Sequence, residues 1–193
     1  MPDRAGMRRE RASRGSLISR GDLVGTRIEK APDRSLVLLR VARPDAGDAA
    51  RRLDLAPPLR VAGEDPQSLW LGPDRWLLAG RRHSAPAMIE RCRTRLGGLL
   101  HHAVDQSAAW AVLRIEGPGA REVLASGAAL DFRERSFPEG ACRPTRLAQV
   151  AAVIVAAGKD RFDLYVDRGY GNYLLDWLKD SLVVANRAAR ARM

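Results

Sequence analysis

Apolar positions fall into short alternating runs broken by Gly, Pro and Asp, with one longer stretch at helical spacing near the C-terminus. Order is expected to begin near Leu23. The run S-L-V-L-L-R-V-A-R from Ser35 reads as a buried strand, stopped by Pro44. Ala46 to Leu55 predicts a short helix that ends before Pro57 and Pro58, because the residue before a proline is pushed out of helical geometry. Val61 to Gln67 reads as a loop. S-L-W-L-G-P-D-R-W-L-L-A-G then predicts two strands about a Gly72-Pro73-Asp74 turn, since proline presets the turn dihedral and aspartate tolerates the next position. A two-residue loop would place Leu69, Leu71, Trp76 and Leu78 on one face, with Trp70 and Leu77 on the other. A type I turn is not the favoured hairpin connection, and a slip of one residue would exchange faces. In either register both faces carry large apolar groups, so the ribbon is covered on both sides or offers one face to a partner.

Further along, Pro86 to Leu96 predicts a helix ended by Gly97-Gly98. Strands follow around Val104 and Val112, and a helix follows Gly117. Pro144–Val150, Ala151–Ala157 and Phe162–Val166 read as strands, the last two joined through Gly158-Lys159-Asp160 with Phe162, Leu164 and Val166 on one side. Asp163 and Asp167 alternate with those positions and are expected to face water. Tyr170, Tyr173, Leu174, Trp177, Leu178 and Leu182 recur at helical spacing and predict a final amphipathic helix. Burying Trp177 would contribute roughly 2–3 kcal/mol. Gly169 is a weak cap for this helix unless Asp167 reaches the free amides. The pattern gives a single α+β domain of mostly antiparallel sheet with packed helices, over residues 21–182. It is flanked by a disordered basic tail at 1–20 and a basic C-terminal tail at 183–193.

Composition changes this picture little. The chain has 193 residues, 46% apolar and 29% charged, which suits one substantial core. The formal charge of +10 suggests nucleic acid, but its distribution does not. Arg4, Arg8, Arg9, Arg11, Arg14 and Arg20 face only Asp3 and Glu10 in the first tail, and Arg187, Arg190 and Arg192 stand without an acid in the last. The body between is close to neutral, with intermixed charges, and so lacks the clustered cations of a phosphate-tracking surface. The ends also lack the apolar face of a membrane-surface helix. Cys92 and Cys142 could form one bridge but no disulfide framework or thiolate metal site. The first residues hold no signal-peptide core, and the longest apolar run, Val150 to Gly158, is about half of the roughly 20 residues a bilayer span needs. A cytoplasmic protein without nucleic-acid or membrane partners is expected.

Candidate chemistry is sparse. A-V-L-R-I-E-G-P-G-A-R-E-V-L-A-S-G, Ala111 to Gly127, has the strand–glycine turn–helix order of a phosphate loop. A dinucleotide fingerprint needs a third glycine where Glu122 stands, and Pro118 removes an amide donor. The same residues serve as a scaffold corner, with Pro118 suited to a helix start and Ala120, Val123, Leu124 and Gly127 on one face. His83, His101 and His102 have no ligand-spaced partners. Ser107 follows Asp105 but has no histidine at a recognisable triad position. Asp105 reads as a turn or sheet-edge residue, with a pocket carboxylate as the other reading. No self-sufficient active site is visible: no catalytic, cofactor-binding or metal-ligating residue is assigned, and Trp70 and Leu77 are the candidates for a partner interface.

The order of four segments adds more. L-W-L-G-P-D-R-W-L-L (Leu69–Leu78), V-D-Q-S-A-A-W-A-V-L-R-I-E-G-P-G-A-R-E-V-L-A-S-G (Val104–Gly127), A-L-D-F-x4-F-P-x-G (Ala129–Gly140) and F-D-L-Y-V-D-R-G-Y-G-N-Y-L-L-D-W-L (Phe162–Leu178) together resemble the gamma subunit of heterotetrameric sarcosine oxidase. The resemblance implies a fold like the folate-binding domain of the glycine-cleavage aminomethyltransferase. It implies a noncatalytic, structural subunit whose partners are alpha, beta and delta chains. In such a complex alpha carries NAD and tetrahydrofolate, beta carries FAD and FMN, and delta carries zinc, with no cofactor on the gamma chain. The complex oxidatively demethylates sarcosine to glycine, passes the methyl carbon to tetrahydrofolate and releases hydrogen peroxide. Two alternatives stay open: a stand-alone folate-binding or aminomethyltransferase-like protein using Asp105, or a gamma-like subunit of a related N-methyl amino acid dehydrogenase. Gly169 and the arginine-rich ends depart from the family's pattern.

Overall fold

The structure, a computed structural model, describes residues 25–191, with side chains through Arg187. The expected disordered tail at 1–20 lies outside the described residues. Among the described residues ten strands form two five-stranded sheets in which every neighbouring pair is antiparallel. In the first sheet the order is β1 (Arg27–Lys30), β7 (Trp110–Glu116), β10 (Arg161–Asp167), β9 (Val150–Gly158), β8 (Cys142–Leu147). In the second it is β3 (Val61–Ala62), β4 (Gln67–Gly72), β5 (Arg75–Gly80), β2 (Ser35–Val41), β6 (His101–Asp105). Helices α1 (Ala46–Leu53) and α2 (Ala85–Arg95) cover the outer face of the second sheet, and α3 (Ala120–Gly127) and α4 (Gly171–Ala191) cover that of the first.

Side-chain alternation produces the four layers. In β10, Phe162, Leu164 and Val166 pack under α3 and α4, while Tyr165 points to the other sheet. In β2, Val37, Leu39 and Val41 pack under α1 and α2, while Leu36 faces the first sheet. The inter-sheet layer is completed by Leu69, Leu71, Leu77 and Ala79 against Cys142, Val153 and Val155. At one edge the sheets are stitched by Val61 N–H to Gly140 O and Cys142 N–H to Leu59 O, both 2.9 Å.

The hairpin β4–β5 takes the slipped register. Gly72 pairs with Arg75, a bulge falls at Leu71, and Trp70 then pairs with Trp76 and Leu69 with Leu77. Asp74 at φ 65 makes the turn possible. Trp70 therefore shares the helix-facing side with Trp76, and Leu69 shares the inter-sheet side with Leu77.

Two features of the last helix follow from its sequence. Leu174, Leu178 and Leu182 are buried four residues apart, each worth about 1.5–3 kcal/mol when fully sheltered. Asp167 accepts from Gly169 N–H at 2.8 Å and so caps the 3-10 turn Arg168–Tyr170 that leads into the helix. The apolar face is narrower than expected: Tyr170 and Tyr173 are about half exposed, and Trp177 is only partly buried, lodged against Gly127. The helix does not stop at Leu182 but runs to Ala191 through the segment expected to be a tail.

Three further expectations are corrected. Val61–Ala62, within the stretch read as a loop, pair briefly with β4; residues 27–30, given no element above, add an edge strand. The span Pro144–Val150 is not one strand, because it turns at Ala148 (φ 49) and Gln149 (φ 70). Left-handed geometry at two non-glycine residues costs about 1 kcal/mol or more each. Tertiary bonds offset it: Ala148 N–H donates to Gly127 O at 3.0 Å, and Tyr173 Oη–H donates to Ala148 O at 2.9 Å. Finally, Asp163 does not face water; it is 3% exposed.

Candidate partner interface

The residues singled out for chemistry are absorbed by the scaffold. Gly117 sits at φ 125, and a Cβ there would lie 2.6 Å from Gly25 O. Its N–H donates to Asp160 O, and the Gly119 N–H donates to Thr26 Oγ1, both at 2.9 Å. Amides already paired within the corner are not free to cradle a phosphate. Asp105 is the exposed last residue of β6, at the edge of the second sheet. Ser107 Oγ–H donates to it at 2.6 Å and Ser107 N–H at 2.8 Å, which together hold its carboxyl below the usual carboxylate range. Ser107 Oγ in turn accepts from Leu36 N–H at 2.9 Å, tying β2 to the β6–β7 turn.

Cys92 and Cys142 are both free and buried, in different layers of the domain. Burial pushes their thiols up to about 11 and about 12, so neither is poised as a nucleophile. His83 and His102 are exposed and His101 half-buried. No group of three or more His, Cys, Asp or Glu side chains able to hold a metal occurs among the described residues. No helix among them is long and apolar enough to cross a membrane.

The hairpin divides the two interface candidates. Leu77 is fully buried in the inter-sheet core and presents no surface in the folded chain, because the bulge at Leu71 fixes its strand in the opposite register. Trp70 stays half-buried at the edge of the helix-facing side. It borders an open, largely apolar groove of about 630 Å³ walled by Ala46 and Ala50 of α1, Pro57, Pro58 and Trp76. Alanines on α1 leave this space. Trp76 is 5% exposed and anchored by its indole N–H to Ala56 O at 2.9 Å, so the groove has a rigid floor. Trp70 is thus the one aromatic of the hairpin that combines a fixed base with open surface.

Sequence reading missed the ionic centre of the molecule. Asp163 is bound by Arg34 Nη2 at 2.5 Å and by Arg114 Nε and Nη2 at 2.8 and 3.1 Å. Burial pushes its carboxyl up, but the two guanidiniums outweigh burial and leave it below the usual range. Arg34 also donates to Tyr165 Oη. The signal lay in register: Asp163 in F-D-L-Y-V-D and Arg114 in A-V-L-R-I-E are directly opposite across β10 and β7.

A family model described as sarcosine oxidase, gamma subunit family, matches residues 45–184, a span that contains all four motifs. Sarcosine oxidase subunit gamma of Corynebacterium sp. (strain U-96) is 30% identical over 114 residues, 59% of this chain and 55% of that protein. The subunit gamma of Arthrobacter sp is 28% identical over 121 residues, 63% of this chain and 59% of that protein. The matched region thus spans little more than half the length of these relatives. Among solved structures, heterotetrameric sarcosine oxidase from Corynebacterium sp. U-96, in complex with pyrrole 2-carboxylate, aligns with a TM-score of 0.73 at 25% identity, covering 83% of this chain and 85% of that chain. The glycine cleavage system aminomethyltransferase T from Bartonella henselae aligns at 0.59 and 17% identity over 79% of this chain and 45% of that one, which shows a shared fold.

Proposed function

This chain belongs to the sarcosine oxidase gamma subunit family, and we propose that it serves as a noncatalytic structural subunit of a heterotetrameric sarcosine oxidase. The observation that carries the reading is the family match over 45–184, together with the alignment on a chain of a heterotetrameric enzyme across most of both lengths. On this reading alpha, beta and delta chains are the partners. They would carry FAD, FMN, NAD, tetrahydrofolate and zinc, and the assembled enzyme would demethylate sarcosine to glycine, with the methyl carbon passing to tetrahydrofolate and hydrogen peroxide as the other product. The way the chain's own candidate groups are paired within its scaffold supports a structural role. Trp70 and its groove are the proposed contact with a partner chain, since a half-exposed aromatic beside a rigid apolar floor has the character of an interface anchor.

Co-expression of the full chain with the alpha, beta and delta chains of its own organism tests this. The expected product is a yellow complex that retains this chain through gel filtration and oxidises sarcosine. A colourless monomer that ignores those chains, or turnover of sarcosine by the lone protein, would overturn it.

A further inference from the structure

We propose that β6 accepts an added strand, an extended segment of a partner chain that carries an apolar and an acidic residue two positions apart. The partner chains are those of the subunit reading, on which this inference rests. β6 lies at the opposite edge of the second sheet from β3 and β4, and so away from the Trp70 groove.

The ladder to β2 fixes which main-chain groups of β6 are free. At its two ends Ala42 N–H donates to Leu100 O and Gln106 N–H to Leu36 O, both at 2.8 Å. Antiparallel pairs alternate, so His102 and Val104 direct their main-chain groups at β2, while His101, Ala103 and Asp105 direct theirs outward. Those outward groups meet no hydrogen-bond partner among the described residues. The other edges are guarded. β1 carries Arg27, Glu29 and Lys30, and β8 carries Pro144 between Arg143 and Arg146. The two-residue β3 is tied to the first sheet through Val61 N–H and Gly140 O. β6 reads H-H-A-V-D, without the Lys, Arg or Pro that keep an edge from pairing.

The face beside this edge is also uncovered. Leu69, Leu77, Leu38 and Val104 form a row across the second sheet on its inter-sheet side. Leu69 and Leu77 are fully buried, but Leu38 and Val104 are only half-buried. Leu100, on the same side just before β6, is 74% exposed. Charge identifies the occupant that apolar surface alone would leave open. Arg75, Arg40 and His102 form the next row, all exposed, and no acid pairs with them among the described residues. A strand laid on β6 would set one side chain beside Val104 and, two residues along, another beside His102. The first position favours an apolar group and the second a carboxylate. Residues 1–20 of this chain hold six arginines against two acids, and a second copy has a formal charge of +10, so both are mismatched to the basic row.

Hydrogen exchange on the full chain, alone and co-expressed with the alpha, beta and delta chains, tests this. The amides of His101, Ala103 and Asp105 should exchange freely in the lone chain and at least about tenfold more slowly in the complex. Ala103→Pro removes an outward donor and none to β2, so it should keep the parent's unfolding midpoint and weaken retention in the complex about tenfold. Arg40→Glu, an exposed charge reversal, should weaken retention by a similar factor. Free exchange of these amides in a formed complex, or full retention of both variants, would overturn the proposal and leave the subunit reading intact. Protection already present in the lone chain would overturn it too, assigning the edge to residues 1–24 in a monomer or to a second copy in a dimer. Failure of the parent chain to assemble would overturn the subunit reading, and this inference with it.

Discussion

The two ends of the inter-sheet layer solve the same problem with opposite chemistry. Where β4, β5 and β2 meet β9, the layer is filled by Leu36, Leu69, Leu77, Val153 and Val155, and stability there scales with apolar area. Where β7 and β10 meet the β1–β2 connection, one carboxylate is held between two guanidiniums beside Tyr165. The apolar end tolerates small errors of fit at graded cost. At the ionic end each partner is needed to offset the desolvation of the others, so removing one leaves buried charge uncompensated. The difference teaches where the fold is adaptable and where it is fixed: Arg34 pins the chain between β1 and β2 onto the centre of the first sheet.

Asp163→Ala should therefore have the largest effect, a loss of about 3–5 kcal/mol in urea unfolding, since Arg34 remains buried and Arg114 half-buried without their carboxylate. The same pair sets an acid dependence. Folding lowers the Asp163 pKa, so its stabilising contribution is present above the unfolded carboxylate's value of about 3.9 and is lost as pH falls through the lower folded value. Acid titration of the unfolding free energy should show this loss in the parent and not in Asp163→Asn.

At the apolar end, Leu77→Ala should cost about 2–4 kcal/mol by emptying a fully buried position. A change under about 0.5 kcal/mol would instead mark Leu77 as a surface residue, contrary to the slipped hairpin register. Next in size is Gly127→Ala, whose new methyl would meet Trp177 at 2.3 Å. It should cost about 1–3 kcal/mol and shift the tryptophan emission as Trp177 is displaced. The smallest effect on folding belongs to Trp70→Ala, on the order of 1 kcal/mol for a half-buried ring. Its effect should fall on association, as loss of co-purification with the partner chains. Unchanged co-purification would remove Trp70 from the interface.

Much of the fold was legible because its signals are local. Alternation in S-L-V-L-L-R-V and F-D-L-Y-V located β2 and β10, Pro86 and Gly97-Gly98 bracketed α2, and Asp167 was recognisable as the cap of the turn that leads into α4. What failed did so for non-local reasons. No turn-forming residue announces the reversal at Ala148-Gln149, whose backbone is held by Gly127 and Tyr173. The bulge at Leu71 moved Leu77 into the core and left Trp70 on the surface. Asp163 looked solvent-facing because alternation says which side of a strand a residue occupies and nothing about what covers that side.

By itself the sequence determined the α+β class, most strand and helix positions, and the four motifs that mark the family, since these depend on periodicity and on neighbours within a few residues. Only the tertiary structure decided that the strands divide into two sheets packed face to face, that Asp163 lies at an ionic centre, and that the surface aromatic of the hairpin is Trp70. Those outcomes rest on register and layer packing between segments up to 131 residues apart, as for Arg34 and Tyr165. Such contacts form only when the whole chain has closed, and their entropy cost is met by many weak contacts acting together rather than by any one motif.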